Sequence, residues 1–153
     1  MERRDFCAHA YQVATLAALG LLADACGGGS PSSPSGGSSA RSLALINGTS
    51  AGSAVTVTVD AASPLATVGG AALVQAPSGV FLAFRSTTDA ISALTSVCTH
   101  EGCMITQFAS PVFECECHGS QFNTNGSVAK GSATRSLQRF TTTFASNVLT
   151  INS

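Results

Sequence analysis

Two short blocks hold nearly all the metal-binding side chains of this chain: Cys98-Thr99-His100-Glu101-Gly102-Cys103 and Cys115-Glu116-Cys117-His118-Gly119-Ser120. Past residue 26, every Cys and every His lies inside them. Cys98-x-His100 and Cys115-x-x-His118 each join one thiolate to one imidazole, a Cys2His2 set drawn from two loops. Such a set suits iron or zinc. Zinc fingers group like ligands together, as Cys-x2–4-Cys and His-x3–5-His. Here each block supplies one of each kind, and a zinc site leaves Cys103 and Cys117 unexplained. A colourless zinc-binding or structural lipoprotein is the alternative on ligand types alone.

At these residues the sequence resembles the Rieske iron–sulfur family, whose pattern is a Cys-Thr-His-x-Gly-Cys loop followed by a Cys-x-Cys-His-Gly-Ser loop. The similarity is tight in the two motifs and looser over roughly Val80 to Ile151. In a Rieske centre two His replace two Cys on one iron of a 2Fe-2S cluster, which raises its potential far above that of an all-Cys cluster. The resemblance implies Cys98 and Cys115 on the inner iron, His100 and His118 on the outer, solvent-facing iron, and a Cys103–Cys117 disulfide. Free core thiols are the alternative for that pair. Gly102 and Gly119 then let the backbone approach the sulfides and offer N–H donors to them. Ser120 matches the family serine whose hydroxyl donates to a bridging sulfide, stabilising the reduced cluster.

Three residues and one loop segment depart from the family pattern. Phe122 stands where high-potential members place a Tyr that donates to a ligand sulfur, and Glu101 replaces the Leu of quinol-oxidising members. Glu116 replaces a frequent Pro, and Gly131-Ser132-Ala133 lacks the proline usual in the loop over the cluster. With one donor missing and added carboxylates, the potential is predicted to be positive but below the top of the roughly −150 to +300 mV Rieske range. The implied role is a one-electron carrier, a component of an oxidoreductase system rather than a stand-alone enzyme. A quinol-oxidising cytochrome bc complex or another periplasmic oxidoreductase, such as an arsenite-oxidase-type enzyme, is the implied setting. A c-type cytochrome or an oxidoreductase subunit is the implied partner, and quinol a candidate donor. A Rieske oxygenase needs a further iron held by two His and a carboxylate, and no His follows residue 118.

Strands must deliver these loops. Abundant small and β-branched residues without long helical periodicity predict an all-β fold. The resemblance refines this to a Rieske-type antiparallel β-sandwich base carrying a small inserted cluster-binding subdomain. Val55, Val57 and Val59 alternate with polar residues as a half-buried strand does. Ala71 to Gln75 and Val80 to Arg85 flank Pro77-Ser78-Gly79 as a hairpin, and Ile91 to Val97 leads into the first block. Met104 to Gln107 and Val112 to Glu114 form a stem between the blocks. Asn123-Thr124-Asn125-Gly126 is a turn, and Arg139 to Phe144 with Val148 to Ile151 makes a closing hairpin about Ser146-Asn147.

The amino terminus reads as processing sequence. Arg3-Arg4-Asp5-Phe6 before the apolar run Val13 to Ala25 resembles a twin-arginine export signal over 1–25. That run is too short for a bilayer core that needs about 20 residues. Cys26 is a candidate lipidated cysteine, which would anchor the protein to a membrane by acyl chains; ordinary Ala-x-Ala cleavage is the alternative. A Gly/Ser/Pro-rich tether follows over 26–42, and the domain proper spans 43–153. Export suits the chemistry, since a disulfide closes in an oxidising compartment, on the periplasmic or outer side of a bacterial membrane. Formal net charge is −1, with five acids and five bases past Cys26 and no basic tract, which argues against a nucleic-acid partner.

Overall fold

The computed structural model describes residues 39–153, so the export signal, the lipidation of Cys26 and most of the tether lie outside the described residues. Thirteen strands run in chain order: β1 (Arg41–Ser42), β2 (Ala44–Asn47), β3 (Thr49–Ala51), β4 (Ala54–Thr58), β5 (Ala71–Ala76), β6 (Gly79–Arg85), β7 (Ile91–Thr95), β8 (Gln107–Ala109), β9 (Val112–Cys115), β10 (Ser120–Asn123), β11 (Val128–Lys130), β12 (Arg139–Ala145) and β13 (Val148–Asn152). No helix occurs among the described residues. The all-β architecture is the expected one: an eight-stranded base sheet and a five-stranded sheet that carries the two blocks.

The base has the order β2-β5-β6-β7-β12-β13-β4-β3. Its two end strands are separated in sequence by Gly48 alone, so one extended segment closes the sheet on itself. The backbone crosses tightly there, because a Cβ on Gly48 would stand 2.7 Å from Val55 Cγ1. Pairing is antiparallel except for β2 beside β5. The closing hairpin turns at Ser146 (φ 49°) and Asn147 (φ 60°). Both residues are left-handed, as a two-residue turn matched to strand twist requires.

Burial patterns explain which strands alternate. β12, Arg-Phe-Thr-Thr-Thr-Phe-Ala, keeps one face in water and reads with period two. Strands β5 to β7 read as nearly continuous apolar runs because both their faces are covered. Ala72, Val74, Phe81, Ala83 and Ala93 pack into the base core with Val55, Val57, Leu149 and Ile151. Leu73, Leu82 and Leu94 pack the other way, against Phe108, Phe113, Phe122, Cys98 and Cys115. The three strands are thus the wall shared by two cores.

The smaller sheet has the order β1-β8-β9-β10-β11. Two boundaries differ from expectation. Residues 104–106 are not strand beyond a single Val97–Met104 bridge. Their main-chain groups are spent elsewhere, since Ile105 N donates to Ser96 O at 2.7 Å and Thr106 O accepts from Leu43 N at 2.8 Å. The strand begins only at Gln107. The expected tether to residue 42 already ends at Arg41, where β1 pairs with β8. Gln107 Nε2 donates to Ser42 Oγ at 3.1 Å, and the Arg41 guanidinium lies 5.9 Å from the Phe108 ring centroid. Leu43 then enters the core that holds Cys98 and Cys115.

Candidate metal centre

Both blocks are tight turns at one end of the smaller sheet. In the first, Gly102 N donates to Cys98 O at 2.9 Å and Cys98 N to Cys103 O at 2.8 Å. In the second, Gly119 N donates to Cys115 O at 2.9 Å. Gly102 (φ 76°) and Gly119 (φ 69°) are left-handed, where a side chain would be strained. Their N–H groups, expected to point at sulfides, are instead spent in closing these turns.

The turns sort the ligand candidates by depth. Cys98 and Cys115 are 2% and 1% exposed, both within the apolar core, while His100 and His118 stand in solvent. The rings meet edge to face with centroids 4.8 Å apart, and Nδ1 faces Nδ1 at 3.3 Å. Two nitrogens each about 2.0–2.1 Å from one tetrahedral ion stand about 3.3–3.4 Å apart. The imidazole pair therefore fits a single shared metal ion.

The thiol pair fits a positive partner too. Burial pushes the Cys115 thiol above its ordinary value, and the neighbouring Cys98 adds to that rise. Amides of Cys117 and His118 donate to the sulfur and pull the other way. A thiolate in this pocket needs a cation to offset its desolvation, and bound metal deprotonates a coordinating thiol. These two amides are the donors that spacing alone did not point to.

Cys103 and Cys117 form a disulfide that joins the loops, with a sequence separation of 14. Thr106 Oγ1 donates to Glu116 Oε2 at 2.9 Å, a second link between the flanks of the two loops. Thr99 Oγ1 donates to the Arg135 carbonyl, which ties the first loop to the segment after Ala133. Phe122 is wholly buried beside Phe113 and offers no donor. Glu101 reaches across from the first loop, its Oε2 3.6 Å from His118 Nε2, an ion-pair distance rather than a hydrogen bond. An open groove of about 510 Å³ beside the first loop is lined by Val97, Thr99, His100, Glu101, Arg135 and Gln138, among others.

Fold and site together define a small all-β metalloprotein that carries mixed Cys/His loops at one end. More than half of the chain, residues 55–141, matches the family model described as the Rieske [2Fe-2S] domain. The chain belongs to this family, whose domain binds one 2Fe-2S cluster. It is 50% identical over 46 residues to the cytochrome b6-f complex iron-sulfur subunit of Synechococcus sp. (strain JA-3-3Ab), covering 29% of this chain and 27% of that one. The chain thus matches only about a quarter of that relative's length. A cyanobacterial plasma membrane Rieske protein from Synechocystis PCC 6803 is 30% identical, with a TM-score of 0.49 over 54% of this chain and 86% of that one. The fold recurs, at 21% identity and a TM-score of 0.50, in a complex of reduced oxygenase and oxidized ferredoxin in carbazole 1,9a-dioxygenase, over 63% of this chain and 98% of that one.

Proposed function

We propose that the protein is an exported one-electron carrier in which Cys98 and Cys115 hold the buried iron of one 2Fe-2S cluster and His100 and His118 the exposed one. The observation that carries this reading is the sorting of donors: two core thiols beneath two solvent-facing imidazoles whose Nδ1 atoms lie 3.3 Å apart. When bound, the cluster supplies reversible one-electron exchange at a potential raised by its imidazole ligands. The chain's own residues do the rest. Phe108, Phe113 and Phe122 keep water from the thiols, and the Cys117 and His118 amides steady the Cys115 sulfur. The disulfide and the Thr106–Glu116 bond hold the loops in register.

The exposed imidazoles mark the edge where a redox partner docks. Residues 98–120 contain Glu101, Glu114 and Glu116 and no Lys or Arg, which favours a partner with a cationic face, such as a basic c-type cytochrome. Among the described residues, Arg135 is the one Lys or Arg lining the groove beside His100. Quinol remains a candidate donor, and the twin-arginine-like leader and Cys26 support an exported, lipid-anchored carrier. Low-temperature EPR of the purified, dithionite-reduced protein tests the reading. A Rieske-type signal with two irons and two sulfides per chain is expected; colourless protein containing zinc would overturn it.

Glu101 supplies a directional prediction. An exposed carboxylate facing a ligand ring favours the more positive, oxidised state by roughly 0.5 kcal/mol. For one electron that is about 20 mV. Glu101→Gln should therefore raise the midpoint potential by on the order of 20 mV, read by EPR-monitored redox titration at low ionic strength. A fall in potential would contradict the placement of this charge beside the centre.

A further inference from the structure

The loop at 131–133 meets the site through one buried hydrogen bond. The Ala133 amide donates to Ser120 Oγ at 2.9 Å, and the two residues are 3% and 0% exposed. A serine hydroxyl carries one proton and two lone pairs. The Ala133 N–H occupies a lone pair, and among the described residues the hydroxyl proton has no acceptor. A buried donor left in that condition is costly unless something accepts from it. Ser120 stands directly opposite Cys115 in the β9–β10 register, so both side chains project from the same face of the sheet. The buried Cys115 thiol is presented from that face.

We infer that Ala133, through its main-chain N–H, is a positioning residue for the potential of the centre. By occupying the acceptor side of the Ser120 oxygen, it turns the O–H toward the bound cluster, where donation stabilises the reduced form. The inference rests on the proposed cluster and on the sulfide donation that the family resemblance implies for Ser120. A proline at 133 would have no N–H to give. Ala133 acts without touching the reacting atoms.

The test is EPR-monitored redox titration of the cluster-loaded full chain and four variants. Ser120→Ala should lower the midpoint potential. Ala133→Pro should lower it in the same direction and by no more than Ser120→Ala does, whereas Ala133→Gly, which keeps the N–H, should leave it unchanged. The double variant Ser120→Ala/Ala133→Pro should titrate like Ser120→Ala alone. An Ala133→Pro protein with the wild-type potential, beside a lowered Ser120→Ala, overturns the inference alone. So does a double variant whose shift is the sum of the two. An unshifted Ser120→Ala overturns the Ser120 reading and the inference with it. Should Ala133→Pro fail to fold, hydrogen exchange decides: the Ala133 amide should exchange slowly in the wild type and several-fold faster in Ser120→Ala. Equal exchange in those two proteins overturns the inference.

Discussion

Cys115→Ser should yield a folded, colourless protein without the EPR signal of the reduced cluster, its iron and sulfide near background. The substitution is close to isosteric, but a serine hydroxyl is a hard, weakly acidic group where iron–sulfur chemistry needs a thiolate. The Cys117 and His118 amides beside the sulfur favour its thiolate form. Cys115 is 1% exposed, so the new hydroxyl is buried, at a cost on the order of 1–3 kcal/mol. Loss of cluster through unfolding is separated from loss of a ligand by His118→Ala. That side chain is 45% exposed and supports no core packing, yet its removal should abolish the signal equally. Wild-type iron content in both variants would place the ligands elsewhere.

The second large effect concerns the disulfide. Cys103→Ser/Cys117→Ser should destabilise the cluster-loaded protein by on the order of 3 kcal/mol, as the chain-entropy model gives for a loop of this length. Guanidinium unfolding of the holo protein measures it. The function should suffer beyond this figure, because the disulfide is the covalent link between turns joined otherwise by side-chain contacts, Thr106–Glu116, His100–His118 and Glu101–His118. Cluster release on dilution or mild heating should accelerate accordingly. A stability loss below about 1 kcal/mol, well under the usual range for a native disulfide, would mean that the bound cluster alone sets the register of the loops.

Chemistry was more legible than architecture in this chain. Ligand candidates are sparse and clustered, so types and spacing suffice to single out Cys98, His100, Cys115 and His118 as candidates. The hairpin about Ser146-Asn147 was legible for a local reason, two left-handed residues between alternating strands. What stayed hidden depends on distant partners. β1 to β3 are short and mostly exposed, and become strands only through pairing with β8, β5 and β4. β10 holds one large apolar residue, Phe122, and its order comes from the facing β9. Met104 to Thr106 looked extended but surrender their main-chain bonds to Ser96 and Leu43. The use of the Gly102 and Gly119 N–H groups is not legible either, because local turn closure competes for the same donors.

The three strands with no solvent-facing side, β5 to β7, have a thermodynamic consequence. Their Leu73, Leu82 and Leu94 belong to one core and their Val74, Phe81 and Ala93 to the other. Neither lobe can melt without stripping a face of the same strands, so the redox end has no private stability to lose. Damage far from the metal, such as a cavity at Phe81, should therefore loosen the grip on iron as surely as damage beside it, with both lobes giving way in one cooperative step.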